Sequence, residues 1–279
     1  ISGFTIRNGD IGVEIMDTKN HNSISNCIIL NNNDRGVYIG DLTSYNKIMN
    51  CIILNNGCGI NLDNSQNNII SGNTVSNSPL GDGINLVYSC SNTITGNTIT
   101  SNDDMGIYIC RSSNYNTISG NTISNNWHGI FLEDSSTEGS SDDNQFFHNN
   151  FIDNIQQAYD ECNNYWDNGY PSGGNYWSDF DEPSEGAYDN SSDGIVDSLY
   201  DVPGGDNQDR YPLVNHYGEE NPILSVHPIS HDLGNINVGN VIDWNFYIEN
   251  TGEGTLSWSV DEGIPWASVS PNSGTTTSE

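Results

Sequence analysis

Apolar positions recur along the chain with a period of about 23 residues. Gly12, Gly36, Gly59, Gly83, Gly106 and Gly129 each open a segment of the form G-[VI]-x-[IL], at spacings of 24, 23, 24, 23 and 23. A second apolar position returns as Ile1, Ile24, Ile48, Ile70, Ile94, Ile118 and Phe146, and a third as Ile6, Ile29, Ile53, Val75, Ile99, Ile123 and Phe151. Self-similarity at such a period marks a solenoid with one coil per repeat. Short β-rich runs such as Asn116 to Ile123 alternate inward and outward residues. Each coil is therefore predicted to carry three short strands separated by Asn/Gly/Ser bends and paired in parallel with the next coil. The fold class predicted is all-β: a right-handed parallel β-helix over 1–157, an aromatic and acidic cap over 158–220, and an incomplete β-sandwich over 221–279.

Asparagine suits the bends for two reasons. It tolerates left-handed backbone geometry, and its amide can bond to the same amide one coil away, roughly 4.8 Å along the axis. Asn73, Asn97, Asn121 and Asn149 share one such slot, which Phe4, Cys27 and Cys51 fill in earlier coils. Cys27 and Cys51 should then stack inside the solenoid. The coil spacing permits a disulfide between them, but in-register side chains point in parallel, which favours free thiols. Cys58, Cys90, Cys110 and Cys162 fall at other coil positions, with no CxxC pair or Cys/His cluster of a zinc site.

After Ile130 the pattern changes. Glu133 to Asp143 lengthens the repeat between Ile118 and Phe146 to 28 residues, predicting a projecting loop. Phe146, Phe147, Phe151, Tyr165 and Trp166 then replace small aliphatics, as expected where a solenoid closes over its last coil. The stretches GGNYWSDF, from Gly173 to Phe180, and GGDNQDRYPL, from Gly204 to Leu213, resemble the NosD-type family of β-helix proteins, a likeness covering about residues 1 to 217. The resemblance implies an exported or surface-attached protein, of a kind common among archaeal surface and S-layer-like proteins, in a superfamily with carbohydrate-binding and sugar-cleaving members. The family name carries a copper association. His21, His128, His148, His216, His227 and His231 are scattered along this chain and only three methionines occur, which argues against a soft-metal site.

Charge sharpens the picture of the cap. With 6 basic and 37 acidic residues the net charge is −31, which disfavours nucleic acid and acidic lipid as partners. Residues 132–220 hold 21 acids and one base, so about two thirds of that charge is concentrated there. Within this block Asp189, Ser191, Asp193, Ile195 (through its carbonyl) and Asp197 match positions of an oxygen-ligand calcium loop around Gly194. The glutamate expected at position 12 is Tyr200, so Asp201, Asp206 or Asp209 would have to substitute, while Arg210 is the one cation available to neutralise the block. The alternative is an Asp/Ser-rich solvated turn. A structural calcium ion is the expectation.

Residues 221–279 lose the asparagine repeat. Ile223 to Val226, Trp244 to Glu249, Thr255 to Val260 and Trp266 to Val269 are predicted antiparallel strands. The stretch GNINVGNVIDWNFYIENTGEGTLSWSV resembles immunoglobulin-like modules of surface proteins, the BACON-like group among them. Such a sandwich takes roughly 100 residues, and the first coil begins in mid-repeat, so the ends are expected either to belong to a longer protein or to be completed by a neighbouring subunit in a filament or surface array.

No run approaches the roughly 18 apolar residues of a membrane-spanning helix. For catalysis, the best carboxylate pair is Asp103 and Asp104, with His128 about one coil away, while Arg35 and Arg111 lie several coils apart. The catalytic strings of pectin-cleaving relatives do not occur. The function expected is a non-enzymatic extracellular or cell-surface scaffold or adhesion module, binding glycans through polar ladders. The alternative is a carbohydrate-active β-helix enzyme: a polysaccharide lyase, hydrolase or epimerase.

Overall fold

The computed structural model describes residues 1–135 and 137–218 and, beyond them, 224–230, 232, 234, 237, 239–250, 255–261, 263 and 267–277. It divides into two compact units, Ile1–Tyr217 and Gly218–Glu279.

The first unit is a parallel β-helix whose coils each give one short strand to three sheets. The eight-stranded sheet runs from Thr5–Arg7 through Ile28–Leu30, Ile52–Leu54, Thr74–Ser76, Thr98–Thr100, Thr122–Ser124 and Asn150–Ile152 to Tyr176–Trp177. The seven-stranded sheet holds Ile11–Ile15, Arg35–Ile39, Cys58–Asp63, Ile84–Val87, Met105–Cys110, His128–Leu132 and Gln156–Asp160. The six-stranded sheet runs from Ser23–Ser25 to Gln145–Phe147. Registers follow the sequence period: Ile29, Ile53, Val75, Ile99, Ile123 and Phe151 stand in one file, and Ile48, Ile70, Ile94, Ile118 and Phe146 in another. Both files are buried. The glycine opening each G-[VI]-x-[IL] segment is dictated by close approach. A Cβ on Gly36 would stand 2.6 Å from the Gly59 carbonyl oxygen and 2.7 Å from Ile53 Cγ2.

The two jobs expected of one bend asparagine are divided between neighbours. The left-handed residues at the bend into the eight-stranded sheet are Gly3, Asn26, Asn50, Gly72, Gly96, Gly120 and His148. From Asn26 on, the residue after each points inward, and from Asn73 onward these residues form an amide ladder. Asn73 Nδ2 donates to Asn97 Oδ1 at 3.0 Å, Asn97 to Asn121 at 2.9 Å, Asn121 to Asn149 at 2.9 Å and Asn149 to Asn175 at 3.0 Å. The other two bends repeat the device. Asn68, Asn92, Asn116, Asn144 and Asn164 form one ladder, and Asn102, Asn126 and Asn154 another. Cys27 and Cys51 occupy the start of the first ladder as free, buried thiols, with the Cys27 N–H on Cys51 Sγ at 3.4 Å. Phe4, expected in the same file, is exposed.

The cap closes the solenoid with stacked rings: Phe146 on Trp166 at 4.2 Å, Phe151 on Trp177 at 4.4 Å, and Trp177 on Tyr200 at 4.1 Å. Tyr165, expected in this set, is exposed, and Trp177 from the GGNYWSDF stretch takes the interior place. Two aspartates are fully buried among the rings. Asp160 stands in register with Leu132 and accepts from Trp166 Nε1 at 2.8 Å, Asn164 Nδ2 and the Cys162 N–H. Asp209 accepts from Trp177 Nε1 at 3.0 Å, from the Asn175 N–H and side-chain amide, and from the Tyr211 N–H. Burial pushes the Asp160 carboxyl up to about 6 and that of Asp209 to about 7, against the lowering effect of these donors.

The loop after Leu132 is anchored. Arg111, from the preceding coil, pairs with Glu138 at 2.7 Å, so the acidic insertion has a basic partner that its own composition lacks.

In the second unit, Leu224–His227 pairs antiparallel with Tyr247–Asn250, and Thr255–Ser259 with Ser273–Thr277. The expected strands at 223–226, 244–249 and 255–260 correspond to three of these. The fourth strand forms at 273–277, while Ala267 to Val269 is not extended into a ladder. Ile223 and Trp266 lie outside the described residues.

Candidate functional site

The outward face of the seven-stranded sheet is where the repeat departs from its own pattern. Its strands alternate, so Val37, Ile60, Ile84, Ile107 and Ile130 point into the core, while the file Tyr38, Asn61, Asn85, Tyr108, Phe131 and Tyr159 points out. At the leading edge of the same face stand Arg35, Cys58, Asp82, Met105 and His128.

Asp82 is the centre of this face. It is 8% exposed, its Oδ1 accepts from the Met105 N–H at 3.3 Å, and its Oδ2 accepts from Asn85 Nδ2 at 3.1 Å. Burial raises its carboxyl to about 7, the charge of Asp104 adding to the rise and the two donors opposing it. When Asp82 is ionised, the bond from Asn85 orients that amide, because a carboxylate can only accept. Asn85 Oδ1 then has no hydrogen-bond partner, and neither does Oδ1 of Asn61, whose side chain is only 6% exposed, nor Nδ1 of His128. Buried polar atoms are almost always paired, so three orphans on one face call for an explanation.

Burial lowers the His128 imidazole below its ordinary value, against the raising influence of Gln156 and Asp104, so it is neutral at neutral pH. The Tyr38 hydroxyl donates to Asp63 at 3.3 Å and that of Tyr108 to Glu133. Burial also pushes up the Cys58 thiol, with Asp82 adding to the effect, which makes it a poor nucleophile. Phe131 and Tyr159 stack at 5.2 Å, with His128 edge-on to Phe131 at 5.1 Å. Beside His128 the half-exposed Trp127 overlooks a groove of about 290 Å³ that Asp103, Asp153 and Ile155 also line. The arrangement offers hydrogen-bond acceptors, a carboxyl raised to about 7, an imidazole lowered from its ordinary value, and flat aromatic surface.

Of the residues singled out by sequence, His128 and Asp104 belong to this face, Asp103 lines the adjoining groove and Arg35 marks the edge, where it pairs with Asp34 at 2.8 Å. Asp82, Asn61, Asn85, Tyr38 and Tyr108 were not legible as a group. Asp82 and Asn85 sit three apart like many Asn/Asp pairs here, and only the coil register sets them beside Asn61 and Tyr108. The usable signal was Asp82 itself, an acid directly before the repeat glycine, where other coils have Ile11, Cys58 or Met105.

The acidic loop has a different geometry. Asp189 Oδ1 accepts from the Ser192 N–H at 2.6 Å, the Asp193 N–H and the Ser191 hydroxyl, and its Oδ2 from the Gly194 N–H at 3.0 Å. Asp193 accepts from the Ile195 N–H and Asp197 from the Asn190 N–H and side-chain amide. Ile195 is buried and bridged to Leu213. Asp189, Ser191, Asp193 and Asp197 thus tie the turn to its own backbone. Arg210, the cation expected to neutralise part of the acidic block, forks onto Asp167 of that block with two contacts of 2.8 Å. Asp209, a suggested twelfth-position ligand, is committed to the cap interior, and Asp201 accepts from Gln208.

The sequence profile of the family described as "Periplasmic copper-binding protein (NosD)" matches residues 1–182. No curated protein is similar enough to count as a relative. Among solved structures, the periplasmic alginate epimerase AlgG is similar over 57% of this chain and 42% of its own, at 19% identity and a TM-score of 0.51. The Azotobacter vinelandii mannuronan C-5 epimerase AlgE6 A-module (59% of this chain, 53% of that one, 15% identity, TM-score 0.47) and pectate lyase Pel9A (66% and 57%, 14%, 0.43) are more distant. The chain thus spans less than half of AlgG, and the likeness is one of fold.

Copper does not fit the residues present. Among those described, no three His, Cys, Asp or Glu side chains gather where a metal could be held. His21 stacks on Tyr45, His148 on Tyr217, and His227 pairs with Glu249, while His231 lies outside the described residues.

Proposed function

The chain belongs to the NosD family, and from that membership we propose that it is an envelope or cell-surface β-helix that binds a glycan on the outward face of its seven-stranded sheet. The observation that carries the proposal is the set of unpaired buried atoms on that face: Asn61 Oδ1 and Asn85 Oδ1 near Asp82 and between Tyr38 and Tyr108, with His128 Nδ1 in the coil after Tyr108. An orphaned buried acceptor costs about 1–3 kcal/mol, a cost a ligand hydroxyl removes. Sugars present hydroxyl edges and flat C–H faces, which suit amide oxygens and aromatic rings together. Isothermal calorimetry of the chain against a panel of oligosaccharides tests this. Binding that disappears in Asn85→Ala and Asn61→Ala supports it, and binding that survives both removes the face from consideration.

A second proposal rests on Asp82 and His128. A carboxyl raised to about 7 and, two coils along the same sheet edge, a depressed imidazole supply an acid and a base on one face, which favours a sugar-cleaving or epimerising enzyme. Turnover of a bound oligosaccharide that Asp82→Asn abolishes without loss of binding would select the enzyme; binding without turnover would select the adhesion module.

Calcium at Asp189, Ser191, Asp193, the Ile195 carbonyl and Asp197 is proposed as a stabiliser of the cap. Carboxylates used by backbone donors retain a lone-pair direction on Asp189 Oδ2, but the acids are not gathered into a ready cluster. Binding would have to draw them together, so a melting temperature raised by calcium and unaffected by it in Asp193→Ala is the expected result. Self-association in a filament or surface array is also proposed and is read by sedimentation at high concentration.

A further inference from the structure

We propose that the glycan taken by the face around Asp82 carries free amino groups and lacks carboxylates. The inference rests on the glycan-binding reading above and specifies its ligand.

The first argument is hydrogen-bond polarity. The two orphaned amide atoms are both oxygens, and Asn85 donates its Nδ2 to Asp82 at 3.1 Å. Nδ1 of the neutral His128 is an acceptor when its proton sits on Nε2. The site therefore asks for donors. An ammonium group has three donors and no acceptor, whereas a carboxylate only accepts and leaves every orphan unsatisfied.

The second argument is charge. Asp82, Asp104, Asp63 and Glu133 line or border the face, and Asp104 acts electrostatically on both Asp82 and His128. Arg35, at its edge, is held by Asp34 at 2.8 Å, and Arg111, which follows Cys110 of the same sheet, by Glu138 at 2.7 Å. A uronate chain would bring one carboxylate per sugar to a surface whose two neighbouring arginines are already paired, on a protein with a net charge of −31. The groove beside His128 adds to the case. Asp103, Asp153 and the half-exposed Trp127 line it together, and carboxylates with an indole suit a protonated amine through ion pairing and cation–π attraction.

Calorimetry of the full chain against oligomers of glucosamine, N-acetylglucosamine and galacturonate, at low and high salt, tests this. The expected result is glucosamine oligomers binding at least about tenfold tighter than the N-acetylated ones, with the preference shrinking at high salt and galacturonate oligomers not bound. Asp104→Asn, an exposed position whose folding is checked by melting temperature, should lose most of that preference. If N-acetylated or uronate oligomers bind as tightly as the amine, or if Asp104→Asn keeps the preference, the inference falls and the glycan-binding proposal stands. If none of the three binds, both fall.

Discussion

Two sets of asparagines climb the same solenoid and end in opposite states. Asn97, inside, makes five contacts: its Oδ1 accepts from the Asn73 N–H and side-chain amide, and its Nδ2 donates to the Ile70 and Thr95 carbonyls and to Asn121. Asn61 and Asn85, outside, leave their oxygens unpaired. Both pairs follow the coil register, so repetition alone does not separate them. The inward amides bond bend carbonyls and one another from coil to coil in the buried interior and so belong to the fold. The outward amides stand where β-sheet bonds are already complete, and nothing in the fold uses their oxygens.

The largest effect should come from breaking the inner set. Asn97→Ala strands several buried donors and acceptors at once, and a loss of about 3 kcal/mol or more is expected in urea unfolding. A loss below about 1 kcal/mol would mean water takes over the ladder and would dissolve the distinction. Next comes the cap, where Asp209→Ala removes the acceptor of two backbone N–H groups and the Trp177 indole, with an expected cost of about 2–3 kcal/mol.

The same buried acids give a pH dependence. Their folded values, about 6 for Asp160 and about 7 for Asp209, lie above the ordinary carboxyl value near 4. Between those limits the folded cap holds protons the unfolded chain has released, so stability falls as pH rises from about 4 to about 7. Thermal melts across that range should show the decline, to which Asp82, also raised to about 7, contributes, and Asp209→Asn should flatten part of it. A stability that rises with pH through this window would contradict the burial argument.

The smallest change in stability should come from the outer set. Asn61→Leu removes an orphaned acceptor and should alter unfolding by less than about 0.5 kcal/mol, or stabilise slightly, because no counted bond is lost from its oxygen. Glycan binding should nevertheless drop by at least about tenfold, equivalent to about 1.4 kcal/mol. Unequal responses of this kind would sharpen the comparison; a large destabilisation would make Asn61 part of the fold.

The amino-acid sequence by itself determined the period, the three strands per coil, the inward files from Ile29 to Phe151 and the stacking of Cys27 over Cys51. A residue repeated every 23 or 24 positions has the same surroundings in every coil, so a pattern in one dimension is already a pattern in three. The cap was legible in its composition but not in its contacts. The exchange of Tyr165 for Trp177, Arg210 on Asp167 and the burial of Asp209 join residues 30 to 45 positions apart with no repeat to register them. The face around Asp82 also belongs to the tertiary structure. Its members are ordinary Asn, Asp and Tyr residues of different coils, and what distinguishes them is burial without a partner, a property of the folded surroundings rather than of any residue type.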